Sequence, residues 1–293
     1  MAAIDVARNL AFWHGKVQPV PVKGGITNAN FMVEDLTGRY FVRVGADIPI
    51  HGVMRFNEIA ASRAAAACGL SPEVVFQAPG ALVFRFIEAK TLSADDVRPR
   101  SMLERILPLL RKCHREMPRE LRGPALIFWV FHVVRDYGHT LKAGNSRHLP
   151  DLPKLLAMAD ELEKAVGPVG IVFGHNDLLP SNFLDDGKRL WLIDWDYAGF
   201  NSPLFDLSNL ASNNEVAETD ERWLLEAYFE APLNDRLWRS YRAMKCASLL
   251  RETMWSMVQE IHSDLDFDYP AYTADYRARL ERMYGEFKAG CAS

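Results

Sequence analysis

Cysteine is scarce in this chain of 293 residues: there are four, at positions 68, 113, 246 and 291. They lie far apart, with no C-x-x-C pair and no Cys/His cluster at zinc spacing. That excludes a disulfide scaffold and a structural zinc site, and leaves reduced, buried thiols in a cytoplasmic protein as the expectation. Long apolar runs are missing too. The best, Leu126–Val134, contains His132 and falls far short of the ~20 residues a membrane helix needs, so no membrane insertion is expected. Met1–Lys16 carries Asp5, Arg8 and His14 and has no signal-peptide core. Nor is there a cationic excess: 34 Lys and Arg stand against 38 Asp and Glu, a formal charge of −4, which argues against a nucleic-acid binder. No internal repeat or low-complexity tract is visible. What remains is an ordinary globular composition, 49% apolar and 25% charged, long enough for one large or two modest domains.

The first part reads as strands with one helix. Gly24–Asn30 is a turn-rich loop, followed by Phe31–Glu34, the turn Asp35–Gly38 and the β-branched, aromatic strand Tyr40–Val44, an antiparallel hairpin. Phe56–Cys68 is Ala-rich and helical, with Gly69 and Pro72 as its stop. Val74–Phe76 and Ala81–Ile87 are further strands around Ala78-Pro79-Gly80. After Glu88 the pattern becomes helical: Ser93 can cap a segment with Asp95 and Asp96 in its first turn, and Met102–His114 has helical periodicity. Two short apolar strands, Val169–Phe173 and Leu190–Ile193, interrupt the helical part, and each runs into a polar cluster.

Those clusters carry the chemistry. The first is His175-Asn176-Asp177-Leu178-Leu179-Pro180-Ser181-Asn182, and the second is Ile193-Asp194-Trp195-Asp196. An Asp and an Asn five apart on a loop, then an Asp at a strand end, is what phosphoryl transfer from ATP requires: a carboxylate to orient the attacking hydroxyl, and a carboxamide and a carboxylate to hold Mg²⁺. Any one of these residues alone reads as a turn or helix cap. The ordered set does not, because it brings carboxylates together in the interior, which is costly without a cation.

Phe173–Asn182 followed by Leu192–Ala198, and then Phe205-Asp206-Leu207-Ser208-Asn209, resembles the signature of the choline/ethanolamine kinases, within the aminoglycoside-phosphotransferase-like kinases. The resemblance spans roughly Gly24 to Tyr284 and is weakest around 118–168. It implies an α+β, protein-kinase-like bilobal fold, with a small antiparallel-sheet N-lobe (1–88) that binds nucleotide and a larger, mainly helical C-lobe (89–293) for catalysis and acceptor binding. It implies Asp177 as catalytic base and Asn182 and Asp194 as Mg²⁺ ligands, with His175 organising the loop backbone. Asp196 is divided between a second metal contact and a solvated or capping role.

For ATP, Gly24–Phe31 is similar to the family's phosphate-covering loop, with Gly25, Thr27 and Asn28 as donors. It is not a Walker loop, since the Gly-Lys-Ser/Thr ending is absent. The resemblance further implies that Arg43 pairs with the α/β-phosphates and with Glu58. Phe86-Ile87-Glu88 is the lobe connector, whose backbone would meet adenine. For the acceptor, Tyr197 follows Asp194 closely, and Met254–Gln259 with Asp266–Tyr272 is similar to the choline-binding end of these kinases. Tyr197, Trp255, Tyr269 and Tyr272 are the candidate walls for a cationic amine. Asp264, Asp266 and Asp268 would add negative potential. Core packing is the competing role for these aromatics, since Trp255 with Val258 and Ile261 also fits a buried helical face.

Two positions depart from the pattern. Glu252 stands where the family has a second Trp, and Asn213 where it has a Glu. The reading is an ATP- and Mg²⁺-dependent kinase of a small amino alcohol, choline or ethanolamine first. The alternatives are an aminoglycoside, sugar or homoserine-like kinase of the same fold, or a catalytically silent pseudokinase. The sequence leaves the oligomeric state open, a homodimer among the options.

Overall fold

The computed structural model describes residues 2–22 and 28–290. A short helix α1 (Ala3–Arg8) precedes strands β1 (Val20–Pro21), β2 (Ala29–Asp35) and β3 (Gly38–Val44). The predicted hairpin is present. Phe31 faces Val42 and Val33 faces Tyr40 across it, and the Asp35 carboxylate closes its turn by accepting the Thr37 N–H at 2.7 Å. Helix α2 (Arg55–Ala67) follows, then β4 (Val74–Ala78) and β5 (Ala81–Arg85). The strands form one antiparallel sheet in the order β1-β2-β3-β5-β4.

The alternation of side chains sorts this sheet into two faces. Phe31, Val33, Tyr40, Val42 and Val83 form a small core with Ala7 and Val17. Phe12 covers it, its ring edge-on to Tyr40 at 5.0 Å. Helix α2 is built differently: Ala61, Ala64 and Ala65 are buried in the larger core of the rest of the chain. Alanine, with no side-chain entropy to lose, is the residue that permits such close helix approach.

The remainder comprises β6 (Lys90–Thr91), helices α3 (Ala94–Val97), α4 (Arg100–Arg115), α5 (Met117–Glu120), α6 (Val130–Ala143) and α7 (Leu152–Val166), strands β7 (Val172–Gly174), β8 (Phe183–Asp185), β9 (Leu190–Leu192) and β10 (Gly199–Asn201), and helices α8 (Pro203–Asn214), α9 (Glu218–Phe229), α10 (Asp235–His262) and α11 (Tyr269–Ala289). Ser93 caps α3 in a reciprocal box with Asp96. Strands β6, β8 and β9 form one small sheet, and β7 pairs antiparallel with β10. The 28-residue α10 is the central post, packed by α6, α7, α8 and α11. It is buried from Ala243 to Gln259. The charges within that stretch are paired: Lys245 with Glu221, and Arg251 with Glu252.

The predicted strand 81–87 is paired through Arg85, and the Phe86 N–H extends the same register by one bond, to the Arg39 carbonyl at 3.1 Å. The strand predicted for 169–173 pairs only from Val172 onward, and Ile171 is exposed. Strand β9 is assigned through Leu192, and the Ile193 N–H extends the β8–β9 register by one bond, to the Asn182 carbonyl at 3.0 Å. Among the described residues no helix is long and apolar enough to cross a membrane.

Candidate active site

Strand β7 ends in Gly174, and the polar loop His175–Asn182 begins on a buried anchor. Asp206, in the first turn of α8, accepts the main-chain N–H of His175 at 2.8 Å and of Asn176 at 2.7 Å. A side chain at position 174 would lie 3.1 Å from that carboxylate and 3.0 Å from Asn176 Oδ1, so close approach requires glycine. Burial alone would raise the Asp206 pKa. The hydrogen bond and charge of His114, 2.9 Å away, together with the His175 N–H, hold it below the ordinary carboxylate value.

Both nitrogens of His175 are committed. Nε2–H donates to the Ile193 carbonyl at 2.9 Å, and Nδ1 accepts the Asp177 N–H at 3.3 Å. Burial lowers its pKa and Asp206 opposes that only in part, so the ring is neutral. It staples the loop to the strand end that carries Asp194. Asn176 and Asp194 both adopt left-handed backbone, with φ of 65° and 70°. Such strain in non-glycine residues persists only where the surroundings enforce it. Asn176 is enforced by its Nδ2, which donates to the Tyr197 carbonyl at 3.0 Å.

Asn182 and Asp177 are tied together, the Asn182 Nδ2 donating to the Asp177 main-chain carbonyl at 2.8 Å. Asp194 is met from the sheet. Arg43 Nη1 reaches Asp194 at 2.7 Å, Glu58 at 2.8 Å and Asp196 at 3.1 Å, so the expected Arg43–Glu58 pair is present. Arg55 bonds Glu58 and, at 3.0 Å, Asp196, and Asn28 donates to Asp196 at 2.8 Å. Asp196 is therefore neither solvated nor a cap: it is buried and locked. Burial raises its pKa, but Arg43 and Arg55 outweigh this and hold it low. Burial likewise works against the Arg43 charge and is outweighed by Asp194, Asp196 and Glu58.

Two guanidinium groups thus face three carboxylates, of which Glu58 is pushed up by burial and by its acidic neighbours against the pull of Arg43 and Arg55. Asp177 itself is pushed up to about 8, chiefly by burial. Arg251 opposes this, while Glu252, Asp194 and Asp196 add to it. A buried cluster of carboxylates and other hard oxygen donors fits Mg²⁺.

Of the remaining nucleotide candidates, Gly25 and Thr27 lie outside the described residues. In the connector Phe86-Ile87-Glu88 the Phe86 N–H donates to the Arg39 carbonyl at 3.1 Å.

The acceptor candidates converge in part. Trp255 Nε1 donates to the Tyr197 hydroxyl at 3.0 Å, and the Trp255 ring lies 6.2 Å from the rings of Tyr269 and Tyr272. The Tyr272 hydroxyl donates to Glu252 at 2.8 Å. Tyr269 is buried with its hydroxyl on Ser263. The stretch Asp264–Asp268 is an exposed loop, and Asp268 caps α11 through the Ala271 N–H.

Three residues escaped the sequence reading. His51, neutral because burial lowers its pKa to about 4, bridges the Tyr137 hydroxyl and Gln259 at 3.1 Å each and lies 5.6 Å from the Trp255 ring. Phe128 meets Tyr197 edge-on at 6.1 Å. Arg251 lies over the Tyr197 ring at 4.4 Å. Of the three, Arg251 left a trace in the sequence, an adjacent Arg-Glu pair inside the otherwise uncharged run Ala247–Gln259. A cavity of about 150 Å³, walled in part by His51, Phe128, Tyr137 and Tyr197, opens beside this group.

The family model described as "Choline/ethanolamine kinase" matches residues 20–224. Ethanolamine kinase 2 of Mus musculus is 28% identical over 283 residues, covering 85% of this chain and 72% of that protein. Protein LicA of Haemophilus influenzae is 25% identical over 280 residues, covering 92% and 81%. The crystal structure of a choline/ethanolamine kinase family protein from Mesorhizobium loti superposes with a TM-score of 0.77 at 28% identity, over 96% of this chain and 95% of that one. The α+β bilobal kinase-like fold expected from the sequence is thus the one observed.

Proposed function

The chain belongs to the choline/ethanolamine kinase family and is a phosphotransferase with an alcohol group as acceptor; on that premise we propose that it transfers the γ-phosphoryl group of ATP, with Mg²⁺, to the hydroxyl of a small amino alcohol. Choline and ethanolamine are the first candidates. The observation that carries the reading is the stapling of Asp177, Asn182 and Asp194 into one polar centre that Arg43 meets from the sheet.

In this reading Asp177 faces the acceptor and takes the hydroxyl proton as the oxygen bonds to the γ-phosphorus and the bond to ADP breaks. Asn182 and Asp194 would hold Mg²⁺, which when bound neutralises charge on the phosphates. Arg43 and Glu58 form the ion pair beneath the nucleotide, and Arg43 Nε, which has no partner among the described residues, offers a donor to phosphate. Asn28, Phe86 and Ile87 would line the rest of the nucleotide site. Tyr197 and Trp255, with Tyr272 beyond them, wall the amine, and Tyr269 supports Trp255 from behind.

The experiment is a transfer assay from labelled ATP to choline, ethanolamine, an aminoglycoside and a sugar, with and without Mg²⁺. Mg²⁺-dependent phosphorylation of an amino alcohol is expected. A protein that binds ATP and phosphorylates only the aminoglycoside or the sugar would reject the reading.

A further inference from the structure

Arg251 is the least accounted-for charge in the molecule. It stands on α10 with its side chain 2% exposed. One nitrogen, Nη1, is spent on Glu252 at 2.6 Å and lies 3.9 Å from the Asp177 carboxylate. The other two, Nε and Nη2, are buried without a hydrogen-bond partner among the described residues. The guanidinium lies over the Tyr197 ring at 4.4 Å and 5.6 Å from the Phe128 centroid, and both rings line the cavity of about 150 Å³.

This arrangement bears on what the acceptor can be. An aromatic wall binds a quaternary ammonium by offering it ring faces. Here a face of Tyr197 already holds the protein's own cation, and a trimethylated head group beside it would meet like charge. Buried donors without partners are destabilising, and a guanidinium fork has the shape of a carboxylate. Phosphate is already addressed on the opposite side, by the Arg43 cluster. On the acceptor side Arg251 and Glu252 stand together as one fixed positive and one fixed negative group, the pattern complementary to a zwitterion.

Resting on the amino-alcohol kinase reading, we propose that Arg251 is a specificity-determining residue that binds a carboxylate, and that the preferred acceptor is a hydroxy amino acid. Its carboxylate meets Nε and Nη2 of Arg251, its ammonium meets Glu252, and its hydroxyl lies toward Asp177. The transfer chemistry is unchanged: the hydroxyl oxygen gains the phosphoryl group and loses its proton to Asp177.

Matched pairs isolate the carboxylate. L-Serine is ethanolamine with a carboxylate added, and L-homoserine is aminopropanol with one added. The full chain is assayed with ATP and Mg²⁺ on both pairs and on choline, as wild type and as Arg251→Lys, which keeps the charge beside Glu252 but removes the fork. Calorimetric binding of each compound is measured in parallel. The expected result is a higher kcat/KM for the carboxylated member of a pair. In Arg251→Lys its KM rises about 10–100-fold, while the KM values for ATP and for the uncarboxylated member hold. Because the Arg251–Glu252 pair is buried, the double variant Arg251→Met/Glu252→Met is included as a form in which neither charge is stranded. It should fold and lose the preference.

Wild-type preference for ethanolamine or choline over both amino acids would overturn the proposal while leaving the amino-alcohol reading intact. An equal fall in kcat for every acceptor in Arg251→Lys would assign Arg251 to the transferred phosphoryl group and overturn it as well. If no acceptor is phosphorylated, the amino-alcohol reading fails, and calorimetry still decides on Arg251: binding of an amino acid that Arg251→Lys abolishes supports the proposal, and no binding rejects it.

Discussion

Asn182 donates its side-chain N–H to the main-chain carbonyl of Asp177 at 2.8 Å, closing the five-residue span between them. The donor side of this carboxamide is thereby used to fix the loop, independently of any ligand.

Asp177→Asn should leave the fold intact and lower turnover by about 10²–10⁴-fold, the usual contribution of a positioned base. Steady-state kinetics with the true acceptor, alongside circular dichroism, is the check. Near wild-type turnover would remove Asp177 from the mechanism.

The Asp177 pKa of about 8, against an ordinary 3.8, makes metal-free stability depend on pH. Between those values the folded chain holds a proton that the unfolded chain has lost, so stability should fall as pH rises from about 4 to about 8. Asp177→Asn cannot ionise. In chelator it should therefore melt above wild type at pH 8, with the gap narrowing toward pH 4. Melting curves that shift in parallel for the two proteins would contradict this.

Asp194→Ala should abolish Mg²⁺-dependent transfer and weaken Mg·ATP binding, because it removes a ligand from the ion that neutralises the phosphates. It also releases Arg43 from its 2.7 Å contact. Titration calorimetry with ATP, with and without Mg²⁺, separates the two effects: the loss should be larger with the metal. Equal affinity and activity in variant and wild type would exclude the assignment.

Trp255→Phe retains a ring in a site 3% exposed but drops the N–H held by the Tyr197 hydroxyl. If the pair forms the amine wall, the KM for the acceptor should rise about tenfold, the value of one net hydrogen bond, and the KM for ATP should not move. A lowered melting temperature with an unaltered acceptor KM would make Trp255 a core residue only.

Local chemistry made much of this legible. The Asp35–Gly38 turn, the alanine helix and the Ser93 cap are set by neighbours in sequence. The spacing of Asp177, Asn182 and Asp194 survives as a pattern because one short loop and one strand carry it. Contacts made across the fold left no such trace. His114 and Asp206 are 92 positions apart, and nothing in either segment announces the pairing. Arg251 left only the adjacent Arg-Glu pair as a trace, and its burial shows once α10 is seen to be enclosed from Ala243 to Gln259.

The alanines of α2 have a consequence for how this kinase can be governed. Glu58, on that helix, holds Arg43 on the sheet, while Ala61, Ala64 and Ala65 on the same helix are embedded in the main core. Swinging α2 outward to uncouple the pair would open a seam through packed interior. The ion pair and the interior packing are thus coupled through one rigid helix, and a substitution that loosens either should be felt in both.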